Sequence, residues 1–322
     1  MRSGVFRPPM ICAVSLNPAV DKYLRLPTLA RGCHQQVAEV VTSAGGKAIN
    51  GAGVMRVLGA EVLVLGFFGG YTGDFLLAEM QREGIRVAPV PVGAATRTAF
   101  VLVEDDGTET EIVEPGAAVG REALAALRER LRGLGAEVTV VVLSGSVPPG
   151  CPDPVYRDLI ADASRPGRTV LLDTSRQWLR AALPANGDGP RPRAIKPNRV
   201  EAEDLLGVRL ESPRDFAAAL ARLRALGVEC PLISNGAAGL FATGDGEALR
   251  VFAPSVARIN SVGSGDAALG GFAVGLARGL AHAECLRLAV ACGTANVLTK
   301  ECAQVRSEDV ARLLPQIQIE RL

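Results

Sequence analysis

Short apolar, β-branched runs alternate with longer amphipathic stretches along the chain, the pattern of β-α-β units wound about a mostly parallel sheet. Ile11–Leu16, Val62–Phe67, Val138–Ser144, Thr169–Asp173, Ala194–Lys196 and Pro231–Ser234 read as its buried strands. Their continuous apolarity fits strands covered by helices on both faces. Helical spacing predicts helices over Ala48–Leu58, Gly73–Glu83, Arg121–Leu131, Asp153–Ala163, Glu201–Leu206 and Pro213–Ala225, and again over Asp266–Arg278, Ala283–Thr299 and Ser307–Leu314.

Two regions depart from this rhythm. Lys22–Leu26 with Gln36–Thr42, and Thr96–Val103 with Glu109–Val113, alternate polar and apolar residues as half-exposed strands do. Glu104-Asp105-Asp106-Gly107-Thr108 joins the second pair with a hairpin signal. The two pairs read as a small β-sheet spanning about 22–42 and 96–114, either a lid or an extension of the main sheet. Residues 1–9 read as a disordered extension before a domain spanning 10–315, and Pro184–Pro192 as a surface loop.

Composition narrows the function. With 48% hydrophobic and 21% charged residues, the chain can bury a sizeable core. A net charge of +1, with acids and bases interspersed, argues against a nucleic-acid surface, so an anionic substrate needs local cations. The seven cysteines are scattered without a C-x-x-C pair, which points to buried thiols in a reducing cytosol rather than disulfides or zinc. Of the two histidines, His34 and His282, the latter reads as a helix-start residue. No apolar run reaches the roughly 18 residues of a membrane span, and a cytoplasmic protein is expected.

Chemistry concentrates in a few segments. In Val262-Gly263-Ser264-Gly265-Asp266, glycines before a helix let successive N–H groups point at one anion. Asp266 can there accept the proton of an attacking hydroxyl, or simply cap the helix. Ser43-Ala44-Gly45-Gly46-Lys47-Ala48-Ile49-Asn50 is not a Walker A loop, and no G-x-G-x-x-G follows a strand, which disfavours a dinucleotide oxidoreductase. Lys47 and Asn50 share a helical face suited to a polyol or phosphate; a tight turn with a solvated lysine is the plainer alternative. Lys196-Pro197-Asn198-Arg199-Val200-Glu201 leaves a strand for a helix at the carboxyl edge of the sheet, where open α/β sheets bind ligands. The oxygens of Asn198 and Glu201 suit a hydrated Mg²⁺. Ser234-Asn235-Gly236-Ala237-Ala238-Gly239 offers N–H groups to phosphates, or is a turn.

Taken together and in this order, the segments resemble the ribokinase-like, phosphofructokinase B sugar kinases over about residues 10–315. The family's signatures correspond to Ala44–Leu58 with Gly66–Gly73, and to Asn260–Gly271. The resemblance implies a three-layer α/β/α sandwich with a β lid, and ATP with Mg²⁺ as cofactors. It implies Asp266 as the base, Gly263, Ser264 and Gly265 as the anion hole, and Asn198 and Glu201 as organisers of Mg²⁺ through water. Lys196, Asn198, Ser234, Gly236 and Gly239 match nucleotide positions; Asp21, Gly45, Gly46, Lys47, Asn50 and Ser146 match sugar-lining ones. Arg97, in Thr96-Arg97-Thr98, resembles the arginine that grips a phosphate already on the acceptor, which a guanidinium can hold through two oxygens.

With Asn17-Pro18-Ala19-Val20-Asp21 and Glu109–Gly116, Arg97 favours the 1-phosphofructokinase and tagatose-6-phosphate kinase branch. The leading expectation is phosphorylation of fructose 1-phosphate, with tagatose 6-phosphate and fructose 6-phosphate as alternatives. A non-catalytic sugar-phosphate-binding regulator is a further alternative, opposed by the co-occurrence of Asp266, Asn198 and Glu201. Three features depart from the family pattern: Ala48 follows Gly-Gly-Lys where glycine is common, Gly51-Ala52-Gly53 opens the helix, and Gly32–Gln36 lacks a basic residue. The lid implies a homodimer through sheet-to-sheet contact.

Overall fold

The computed structural model describes residues 10–183, 189–244 and 246–322. The extension read at 1–9 and residues 184–188 of the expected loop lie outside the described residues. In chain order the strands are β1 (Met10–Ser15), β2 (Ala19–Leu26), β3 (Glu39–Gly45), β4 (Glu61–Phe68), β5 (Arg86–Pro91), β6 (Arg97–Glu104), β7 (Glu109–Val113), β8 (Val138–Ser144), β9 (Thr169–Asp173), β10 (Ala194–Ile195), β11 (Leu232–Ser234), β12 (Leu240–Gly244), β13 (Glu247–Phe252) and β14 (Gln318–Arg321). The helices are α1 (Lys47–Val57), α2 (Gly70–Arg82), α3 (Arg121–Arg132), α4 (Val155–Ala163), α5 (Arg176–Ala182), α6 (Arg199–Leu206), α7 (Pro213–Ala225), α8 (Ser264–Ala277), α9 (His282–Val297) and α10 (Ser307–Leu313).

Six strands form a parallel sheet in the order β10-β9-β8-β1-β4-β5. Alternate residues of each strand enter opposite cores. Ile11, Ala13, Val62, Val64, Val140 and Val142 pack with α1, α2, α8, α9 and α10. Cys12, Val14, Phe67, Val141, Leu143, Val170 and Leu172 pack with α3, α4, α6 and α7. The result is the expected three-layer α/β/α arrangement. A separate four-stranded sheet, β3-β2-β6-β7, stands beside it. There β2 pairs with β6 in parallel and the other neighbours are antiparallel.

The topology differs from the sequence reading in several places, and β12, β13, β14 and α5 were not foreseen. Pro231–Ser234 was expected within the parallel sheet, but β11 opens an antiparallel sheet, β11-β12-β13-β14. The physical reason is the turn that follows: Gly236 (φ 53°) and Gly239 (φ 92°) reverse the chain within a few residues, leaving no room for the helical crossover a parallel return needs. This sheet still abuts the main one, since Cys230 N–H donates to Arg193 O (2.8 Å) and Ser234 N–H to Pro197 O (3.1 Å). Strand β5 was not foreseen because Pro89 and Pro91 mask it. It lies at the sheet edge, where a missing donor is tolerated.

No helix among the described residues is long and apolar enough to cross a membrane. All seven cysteines are free. Cys12, Cys230, Cys285 and Cys292 are buried as expected, whereas Cys33 is exposed and Cys151 and Cys302 are half-buried. Helices α8 and α9 pack closely, with Phe272 of α8 wholly buried and edge-on to His282 (ring centroids 6.0 Å apart). Phe272→Ala is expected to destabilise the protein by about 3–5 kcal/mol in chemical denaturation, the usual cost of truncating a core phenylalanine.

Candidate active site

The carboxyl ends of β1, β8, β9 and β10 converge on one edge of the main sheet, and the chain leaving them carries Asn17, Ser146, Asp173 and Lys196. Helices α1 and α8 start at the same place. Gly263 (φ 80°) is the N-cap of α8, and no side chain caps that helix. A Cβ on Gly263 would lie 2.4 Å from Cys302 Sγ, so only glycine fits. Asp266 therefore does not serve as a cap: its Oδ2 accepts a hydrogen bond from Asn50 Nδ2 (2.9 Å), across the gap to α1. The same amide nitrogen reaches Cys302 Sγ (3.4 Å). From behind, buried Asn296 donates to Val262 O (2.9 Å) and Ser264 Oγ (2.8 Å), while Asn260 Oδ1 accepts from Val262 N (2.8 Å).

The charged groups of this cluster balance. Lys47 Nζ lies 3.5 Å from Asp173 Oδ1, and Lys196 Nζ lies 3.2 Å from Asp173 Oδ2. The Asp173 side chain has no exposure to solvent and that of Lys196 only 5%. The Lys196 ammonium sits 3.0 Å from where a Cβ of Gly265 would be, which puts it against the glycine loop. Burial pushes the Asp266 carboxyl up to about 6; Asp173 adds to the rise, while Lys47, the Asn50 hydrogen bond and Lys196 oppose it. Burial also acts to raise Asp173, yet Lys196 and Lys47 hold it below the ordinary carboxylate range. Asp173 in turn keeps Lys47 protonated.

Across from this cluster, Asp21 of β2 lies against Gly45 so closely that a Cβ there would fall 2.0 Å from its carboxylate oxygen. Burial raises Asp21 to about 7 against the pull of the Arg97 guanidinium and the Gly46 N–H. Arg97 donates from Nε to Asn17 O (3.2 Å) and from Nη1 to Glu114 O (3.2 Å). Asn17 Nδ2 donates to Ser146 Oγ (3.1 Å) and Pro115 O (3.1 Å), so Ser146, Asn17 and Arg97 form one chain of contacts.

Asn198 and Glu201 close a capping box at the start of α6. Glu201 N–H donates to Asn198 Oδ1 and Asn198 N–H to Glu201 Oε2, each at 2.9 Å. Ser234 pairs with Asn198 in a parallel bridge, and the 3₁₀ turn with Gly236, followed by Gly239, extends from it. Lys196 joins this group to the Asp266 cluster.

The structure thus brings Asp266, Gly263, Ser264, Gly265, Lys47, Asn50 and Lys196 into one cluster, with Asp21, Gly45, Gly46, Arg97 and Ser146 facing it. Asn198, Glu201, Ser234, Gly236 and Gly239 form a neighbouring group. Asp173, Asn17, Cys302 and Asn296 were not singled out from sequence. Asp173 carried a usable signal, a lone acid ending the apolar strand Thr169–Asp173. Cys302 and Asn296 carried none, since their role arises from long-range packing.

Both raised carboxyls sit above their unfolded range, so the native state binds protons more tightly than the unfolded chain. Their contribution to stability improves as pH falls from about 7 toward 4. Because Asn50 favours ionised Asp266, Asn50→Leu is expected to raise the Asp266 titration, followed by carboxyl-carbon NMR, above its wild-type value near 6.

The model of the pfkB family carbohydrate kinases matches residues 11–309. A tagatose-6-phosphate kinase of Staphylococcus epidermidis is 29% identical over 96% of this chain and 99% of its own. Phosphofructokinase-2 of Escherichia coli, in complex with fructose-6-phosphate, superposes with a TM-score of 0.87 at 26% identity, covering 96% of this chain and 99% of that one. A possible 1-phosphofructokinase of Thermotoga maritima shares the fold with a TM-score of 0.88 at 23% identity, over 97% and 99% of the two chains. Set beside the parallel sheet and the glycine loop at its edge, these matches show that the chain belongs to the pfkB family of carbohydrate kinases.

Proposed function

We propose that this kinase transfers the terminal phosphoryl group of ATP to a hydroxyl of a hexose phosphate, with fructose 1-phosphate as the leading acceptor and fructose 1,6-bisphosphate as product. The observation that carries the reading is Asp266, a buried carboxyl that is free of capping duty, held by Asn50, and set beside the loop N–H groups. In this reading Asp266 takes the proton as the hydroxyl oxygen bonds to phosphorus and the bond to ADP breaks. Gly263, Ser264 and Gly265 supply N–H groups to the equatorial oxygens, and the start of α8 adds positive potential. A carboxyl titrating near 6 is ionised at neutral pH and still basic enough to accept a proton.

Lys196, Asn198, Ser234, Gly236 and Gly239 are assigned to the nucleotide, on the neighbouring ledge. Among the described residues no three His, Cys, Asp or Glu side chains converge into a closed metal cage. The oxygen donors of Asn198 and Glu201, partly engaged in the capping box, fit Mg²⁺, which keeps most of its waters. They would hold the ion through those waters, and its chemistry there would be to neutralise phosphate charge.

Asp21, Gly45, Gly46, Lys47, Asn50 and Ser146 are assigned to the sugar hydroxyls. Arg97, with guanidinium donors left over after its two backbone contacts, is assigned to the acceptor's own phosphate. The tagatose-6-phosphate kinase relative supports tagatose 6-phosphate as the second reading.

We also infer that β3-β2-β6-β7 is a lid that pairs two copies. One face carries Asp21 and Tyr23; the other exposes Val40 (52%) and Ile112 (56%) beside Phe100 and Leu24. An apolar face of that kind suits a second copy of the chain.

Asp266→Asn is expected to lower kcat by about 10²–10⁴-fold with ATP affinity little changed; near-normal turnover would remove the base assignment. Arg97→Ala is expected to raise KM for the phosphosugar, and an equal loss on unphosphorylated hexose would argue against its phosphate role. Ile112→Lys is expected to lower the mass seen in sedimentation, and a wild-type monomer at micromolar concentration would overturn the dimer.

A further inference from the structure

One buried carboxylate has no part in the reaction above. Asp173 ends β9, and its backbone is fixed on both sides: Gly145 N–H donates to Asp173 O (2.9 Å) and Lys196 N–H to Leu172 O (3.2 Å). Its two oxygens address two different ammonium groups, Lys47 at 3.5 Å and Lys196 at 3.2 Å. Neither lysine has another ion pair among the described residues. Oδ2 makes no oriented hydrogen bond despite its burial, so Lys196 is held by charge rather than by a directed bond.

Both lysines stand at the glycine loop, where an incoming phosphate would arrive. Among the described residues Asp173 is the one carboxylate in ion-pair range of either ammonium, with Asp266 adding charge at longer range. The Lys47 contact is a long hydrogen bond of 3.5 Å and the Lys196 contact, at 3.2 Å, is not oriented as one, so both are suited to exchange.

We propose that Asp173 is a positioning residue, the standing counter-ion that holds Lys47 and Lys196 aimed at the Gly263–Asp266 loop until phosphate oxygens take its place. The proposal rests on the phosphoryl-transfer reading for the identity of the incoming anion, but its counter-ion role exists without substrate. Asp173 also sets the field at Asp266. The groups facing Asp266 are Lys47 and Asn50 from α1, Lys196 from the exit of β10, Asp173 from β9, Cys302 from the turn after α9 and Asp21 from β2. Among them Asp173 and Asp21 oppose its ionisation while both lysines favour it.

The test uses the full chain without nucleotide or sugar. Carboxyl-carbon NMR follows the titration of Asp266, and calorimetry measures the affinity of inorganic phosphate at neutral pH. In Asp173→Asn the Asp266 pKa is expected to fall by about one unit as an opposing charge is lost. Phosphate is expected to bind several-fold tighter, because its competitor for the lysines is gone. Lys196→Met is expected to move both quantities the other way, and the double variant to return toward wild type. A folded Asp173→Asn protein with an unmoved Asp266 titration, or with unchanged or weaker phosphate binding, would overturn the proposal.

Should Asp173→Asn not fold, the wild-type protein decides. Saturating phosphate must shift the Asp173 carboxyl signal as the lysines leave it, and an unmoved signal refutes the exchange. Because none of these readouts is turnover, failure here leaves the kinase reading standing, and loss of that reading leaves these measurements interpretable.

Discussion

Charge balance around the buried carboxyls Asp173 and Asp266 is the constraint on which the active site depends. Lys47, Lys196, Asp173 and Asp266 come from α1, the exit of β10, the end of β9 and the first turn of α8. Lys196, Asp173 and Asp266 are buried, so each is unfavourable as a lone charge and tolerable in company. The pairing therefore ties together elements far apart in sequence and fixes where the glycine loop meets the parallel sheet. Burial leaves Asp266 with a raised affinity for protons that the lysines hold in check, which suits the base role proposed for it.

The outlying sheet completes the site from the other side. Asp21 and Arg97 lie on it or at its base, and Asn17 links Arg97 to Ser146 on the main domain. Tyr23 of β2 is buried, and its hydroxyl finds no hydrogen-bond partner of good geometry, although it lies close enough to Cys302 to affect that thiol. The segment leading into the glycine loop touches this sheet again through Ser261 and Glu109 (3.4 Å). Arg97 and the segment before the glycine loop are thus held by contacts that any motion of the sheet would alter.

Much of this architecture was legible in the sequence, because the parallel strands are long apolar runs and the helices between them are amphipathic. The glycine loop before α8 and the Gly45–Asn50 segment were legible too, though only through their joint occurrence, since each alone also fits a cap or a tight turn. What escaped has physical reasons. Strand β5 was masked by two prolines that an edge position tolerates, and β11 was assigned to the wrong sheet because the reversal at Gly236 and Gly239 outweighs its apolar pattern. Asp173 bore a local mark, a lone acid ending an apolar strand, but its partners are lysines at distant positions, 47 and 196, which no local pattern brings together. The capping role weighed for Asp266 was settled only by seeing Gly263 at the N-cap and Asn50 across the gap.

The charge-balanced cluster is proposed to serve phosphoryl transfer to an acceptor that already carries a phosphate. That role is tested by ADP release from Mg·ATP by the wild-type chain, compared across fructose 1-phosphate, tagatose 6-phosphate, fructose 6-phosphate and the corresponding free sugars. The expected kcat/KM is highest for fructose 1-phosphate and far lower for every free sugar. Equal or faster turnover of a free sugar would contradict it.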